Sequence, residues 1–84
     1  MFDNLYQRSA QGANTYYAVE AFADDEVVTG VQCDTWKKFK PWLENIIKDS
    51  RITKMFVLSV GMNTISGTYI RDGADWAFEE DENE

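Results

Sequence analysis

The sequence predicts a small α+β domain: an antiparallel sheet of four to five strands with one helix packed on one face, in the order β-β-α-β-β-β. Three observations carry this. Runs rich in β-branched and aromatic residues are separated by turn signals, of which Asp72-Gly73 is the strongest. Only one stretch, Trp36, Phe39, Leu43, Ile46 and Ile47, repeats at helical spacing. The chain has 84 residues, room for one core and no more.

Residues 1–14 read as a flexible lead-in, because Ser9 to Asn14 is small and polar. The alternative is that Phe2, Leu5 and Tyr6 pin the first turn to the core. Thr15 to Ala23 reads as a strand, Asp24-Asp25-Glu26 as a turn, and Val27 to Cys33 as the second strand of a hairpin with Gly30 as its expected bulge. Asp34-Thr35 has N-cap chemistry before the helical stretch 36–49. Pro41 conflicts with an unbroken helix, since it lacks the N–H and crowds the preceding turn. Either the helix kinks there, or a short turn at 35–39 precedes a helix that begins near Pro41, where proline is tolerated; the second is favoured.

Ile52 to Gly61 contains the apolar run Met55 to Leu58, the pattern of a central strand covered on both faces. Thr64 to Ile70 alternates cleanly, and Ala74 to Phe78 completes the last hairpin. Residues 79–84 read as an acidic, solvated tail. The expected core is Trp36, Phe39, Leu43, Ile46, Ile47, Phe56, Leu58, Ile65 and Tyr69. Such a core is marginal for one chain, so a homodimer through an edge strand would add burial.

Composition excludes several chemistries. There is no histidine and one cysteine. No Ser-His-Asp or Cys-His nucleophile, no Cys/His zinc site and no intrachain disulfide can be built. The glycines form no phosphate loop, Asp24-Asp25-Glu26 lacks the calcium-loop spacing, and no paired carboxylates are placed around a cleft. A non-enzyme with no cofactor and no metal is expected. No secretory leader and no membrane span are read, and the lone Cys33, a small hydrophobe beside Asp34, suits a reducing cytoplasm.

Charge is segregated. The net charge is -7. Residues 20–36 carry Glu20, Asp24, Asp25, Glu26 and Asp34, while residues 72–84 carry Asp72, Asp75, Glu79, Glu80, Asp81, Glu82 and Glu84. Between them, Lys37, Lys38, Lys40, Lys48, Arg51 and Lys54 make the helix region basic. If the two hairpins lie close together, their acids merge into one face able to engage a Lys/Arg surface meant for phosphate. The expected partner-binding set is Glu20, Asp24, Asp25, Glu26, Asp72, Asp75, Trp76, Glu79, Glu80, Asp81 and Glu82. Trp76, flanked by acids, is either a core cap or an interface anchor.

In size, charge layout and acidic blocks the chain resembles the small acidic inhibitors that bacteriophages encode against host enzymes, the DNA-mimic and anti-CRISPR proteins. The resemblance rests on Asp24-Asp25-Glu26 and the Glu79 to Glu84 block within one small α/β domain, and not on a sequence motif. It implies stoichiometric inhibition of a protein whose Lys/Arg groove would otherwise hold DNA or RNA. The basic helix departs from that pattern, so a protein-surface inhibitor using both patches stands beside pure mimicry. An accessory subunit of a larger assembly and a nucleic-acid-binding module using the helix are the alternatives. The overall acidity opposes direct nucleic-acid binding.

Overall fold

A computed structural model describes residues 2–8 and 14–81. Its strands are β1 (Tyr16–Ala23), β2 (Glu26–Cys33), β3 (Lys54–Val60), β4 (Thr64–Asp72) and β5 (Asp75–Glu80), with one helix, α1 (Trp36–Ile46), between β2 and β3. The five strands form one antiparallel sheet in the order β2-β1-β3-β4-β5. This is the expected α+β layout. β2 and β3 run the same way with β1 between them, so the connection must cross the sheet, and α1 carries it.

The period-two rule explains which face is filled. Tyr17, Val19 and Ala21 of β1 and Met55, Val57 and Ser59 of β3 point to the helix side and are buried. Phe39, Leu43 and Ile46 of α1 meet them, spaced four and three apart. α1 lies mainly over β1 and β2. The rest of that face is covered by residues 2–8. The Phe2 ring stands edge-on to Tyr69, with centroids 5.0 Å apart, and the Tyr69 hydroxyl donates to Asn4 Oδ1 at 2.6 Å. Gln7 is buried, and its Nε2 donates to Ser59 Oγ and to the Asn63 carbonyl, both at 3.0 Å. The Ser59 hydroxyl in turn donates to the Leu5 carbonyl.

Of the two readings of the first residues, a flexible lead-in and a first turn pinned to the core, residues 2–8 show the second. Phe2 and Leu5 are core, and a short 3-10 turn at Asp3–Leu5 presents them. The remainder of the lead-in, residues 9–13, lies outside the described residues.

Pro41 departs from expectation. α1 begins at Trp36, capped by the Thr35 hydroxyl, which accepts from the Lys38 N–H at 3.3 Å, and it continues through Pro41 without stopping. Pro41 is exposed, so its ring does not disturb the packed side of the helix, and its local cost is the missing donor to the Lys37 carbonyl. The burial of Phe39 on one side and Leu43 on the other outweighs the local penalty. Pro41→Ala is expected to stabilise the fold by about 2 kcal/mol, the interior-proline cost reduced by the looser unfolded chain. A rise in the urea unfolding midpoint with an unchanged slope checks it.

Three further expectations change. The bulge is not at Gly30: the register shifts between Ala21 and Phe22, opposite Val27 and Thr29, and Gly30 lies in regular register opposite Glu20. β5 runs on to Glu80, so Glu79 and Glu80 are strand residues and not tail, and the Asp81 N–H extends the pairing to the Ser66 carbonyl at 2.8 Å. Finally, β3 is central but covered on one face only. Phe56 is 45% exposed and Leu58 half-buried, although both were expected in the core. With one helix available, nothing among the described residues covers the second face.

Candidate functional site

Antiparallel alternation decides where the acids go. β1 rises to the Asp24-Asp25 turn, β3 starts beside Phe22, and β4 rises alongside to Asp72. Both hairpin turns therefore project from the same end of the sheet, with the start of β3 between them. Asp24 adopts a left-handed backbone (φ 57°), which a short polar side chain tolerates, and its N–H donates to Thr53 Oγ1 at 3.1 Å. Gly73, with φ 64°, opens the two-residue Gly73-Ala74 turn that pairs Asp72 with Asp75. Asp24, Asp25, Glu26, Asp72 and Asp75 are all exposed. The turns are three strand spacings apart, about 14 Å.

The other expected residues are elsewhere. Glu79, Glu80 and Asp81 lie at the far end of β5, roughly 17 Å along the strand from Asp75. Glu82 lies outside the described residues. Glu20 stands in mid-sheet on the uncovered face, paired with Phe56 on one side and Gly30 on the other. Trp76 is half-buried beneath the Arg71 guanidinium, whose carbon is 4.4 Å from the ring centroid, on the helix side. It packs against the core, as the core-cap alternative for this residue has it. The acids therefore form no single face: five share an end, Glu20 marks the open face, and the rest line an edge.

The uncovered face is what sequence reasoning missed. Tyr16, Phe22, Phe56, Leu58, Val60 and Ile70 share it by register. The Phe22 and Phe56 rings pack at 4.9 Å. Lys54 lies across them, its ammonium 5.2 and 5.6 Å from the two centroids and 4.0 Å from Asp25 Oδ1. The face thus runs into the acidic end through Lys54. The signal for it was present in the apolar residues on both sides of β3, together with a single helix to cover them.

The basic region is separate. α1 starts at the end where β2 finishes, opposite the acidic turns. Lys37, Lys38 and Lys40 are exposed there beside Trp36 and Tyr6, whose rings are 5.9 Å apart, and these residues line a cleft. Lys38 is paired with Asp34 at 3.0 Å, and its hydrogen bond holds the Asp34 carboxyl below the usual range.

Other displaced titrations belong to the scaffold. Hydrogen bonds from the Arg51 side chain and backbone hold the Asp49 carboxyl down to about 2, and Asp49 raises Arg51 in return. Burial raises the Tyr69 phenol. Burial first, and then the Asp34 charge, raises the Cys33 thiol, which leaves it a weak nucleophile. Among the described residues no three carboxylate or thiol groups cluster to hold a metal ion, and no helix is long and apolar enough to cross a membrane. Comparison with protein-family models, with curated proteins and with solved structures finds no match.

Proposed function

We propose that this protein is a non-catalytic inhibitor that covers a basic, nucleic-acid-binding surface of a host enzyme or defence complex, in the manner of phage anti-defence proteins. The observation that carries this reading is the juxtaposition of two acidic turns at one end of the sheet with an uncovered aromatic face beside them. The turns supply charge, which steers encounter and selects a basic partner. The aromatic face supplies the apolar area that holds it. Two carboxylate groups about 14 Å apart also approach the roughly 12 Å width of a DNA major groove, whose phosphates such a partner would grip. Glu79, Glu80 and Asp81 extend the negative field along the β5 edge.

A second reading uses the cleft between Tyr6, Trp36 and the α1 lysines as a stacking platform for a nucleic-acid strand. One experiment separates the two. The protein is immobilised and used to capture its partner from the cells that encode it, alongside a variant with Asp24→Asn, Asp25→Asn, Glu26→Gln, Asp72→Asn and Asp75→Asn. These positions are exposed, and asparagine tolerates the backbone of Asp24, so the variant keeps its fold. The expected result is a basic partner that is displaced by duplex DNA or RNA and is lost with the variant. Equal capture by the variant overturns the inhibitor reading. Salt-sensitive retention of the oligonucleotide by the protein itself establishes the second reading in its place.

A further inference from the structure

Of the four glycines in the described strands and turns, three have a structural reason. A Cβ at Gly61 would stand 2.7 Å from Gln7 Oε1, and one at Gly67 would stand 2.7 Å from the Phe78 ring, while Gly73 has positive φ. Gly30 has none of these reasons. Its φ is not positive, and a Cβ there would meet only the Val19 carbonyl oxygen, at an ordinary 3.8 Å. A glycine inside a strand is destabilising, so the fold gains nothing from it.

What Gly30 does is leave a hole. On the uncovered face it sits opposite Glu20, which is flanked on its other side by Phe56. Ala18, with only a methyl group, lies one step along, opposite Gln32. The result is a depression of about 450 Å³ with a floor at Ala18 and Gly30, an aromatic wall at Phe56, an amide at Gln32 and a carboxylate at Glu20. Among the described residues Glu20 has no ion-pair partner, because the nearby Lys54 is drawn over the phenylalanine rings toward Asp25.

From this we infer that the depression is an arginine-binding pocket for a side chain of the partner protein. A guanidinium is flat, so it can lie along the Phe56 ring while its fork meets the Glu20 carboxylate. The Gln32 amide oxygen can accept one of the remaining N–H groups. A lysine ammonium would match the charge but not the slot. The inference rests on the reading of the protein as a binder of basic surfaces, and names the contact at its centre.

The probe is the capped tripeptide acetyl-Gly-Arg-Gly-amide, titrated into the isotope-labelled protein and followed by backbone amide NMR. The expected result is saturable shifts at Ala18, Glu20, Gly30, Gln32 and Phe56. The citrulline tripeptide, which has the same shape without the charge, is expected to bind about tenfold more weakly. Gly30→Val fills the hole with a good strand residue, so it should abolish the shifts while the unfolding midpoint stays level or rises. Glu20→Gln is the second variant, nearly isosteric, and should weaken binding about tenfold. Shifts confined to the turns at 24–26 and 72–75, undiminished binding to folded Gly30→Val, or no saturable shift at all overturns the pocket. None of these results touches partner capture through the acidic turns, whereas turn variants that capture normally refute the broader reading even if the tripeptide still seats.

Discussion

Phe39→Ala is expected to cost about 4 kcal/mol and to leave the domain close to unfolding. Phe39 is fully buried, stacked on Tyr17 with centroids 5.3 Å apart and packed against Trp36 at 6.1 Å. It is where the single helix meets the sheet, and no neighbouring element can move in to refill the space. A domain of this length has a total stability of only about 4–13 kcal/mol, so this one cavity removes a large part of it. Phe39→Leu, which keeps much of the volume, should cost about 1–2 kcal/mol. Trp42→Ala, three residues on, is the control. Trp42 is 48% exposed, and its loss should change stability by no more than about 0.5 kcal/mol. Urea unfolding followed by far-ultraviolet circular dichroism reads all three without relying on the altered tryptophan. Equal losses at positions 39 and 42 would contradict the orientation of α1.

The contrast between Phe39 and Trp42 also marks what could be read in advance. Both are aromatic residues of one helix, and only the spacing of Phe39 with Leu43 and Ile46 says which one faces in. That periodicity was visible, as were the hairpin signals, and together they gave the class and the element order. Pro41 was misread because local preference was weighed without the packing on either side of it. Gln7 was invisible for a different reason. Its partners Ser59 and Asn63 are more than fifty residues away, and no local pattern announces a buried amide.

The open face was hidden by an ambiguity of the code itself. Apolar residues on both sides of β3 describe a strand covered twice or a strand with one bare face equally well. The tie is broken only by counting the covering elements. A helix of 11 residues is about 16 Å long, against a five-stranded sheet about 19 Å across between its outer strands. It serves one side at most. The shared end of the two acidic turns was likewise beyond reach until β3 was known to pair with β1. Once that pairing is given, alternation of strand direction places Asp24 and Asp72 at the same end.

Arg71 is the second position where a large loss is expected, about 3 kcal/mol on replacement by alanine. It reads as an unremarkable charge at the end of a strand, yet it closes the connection from α1 to β3. Its Nε donates to the Ile52 carbonyl at 2.8 Å, and its Nη2 donates to the Ile47 and Asp49 carbonyls at 3.3 and 3.1 Å. The first of these bonds fixes the entry to β3 and the other two satisfy carbonyls freed by the end of the helix. The guanidinium also rests on Trp76, so truncation uncovers that ring. Charge-assisted bonds to neutral carbonyls are worth about 1.5–3 kcal/mol each when dry, and half-exposure here lowers the sum. Arg71→Lys separates charge from shape: an ammonium keeps the attraction but cannot span three carbonyls with a fixed fork, so it should recover less than half of the loss. The comparison is made at pH 7, far above the value of about 2 at which Asp49 titrates, so that the Asp49–Arg51 pair stays constant throughout. Urea midpoints give the loss, and faster amide exchange at residues 47–53 locates it. Full recovery by lysine would show that charge alone holds the connection and that the three-carbonyl fork contributes nothing.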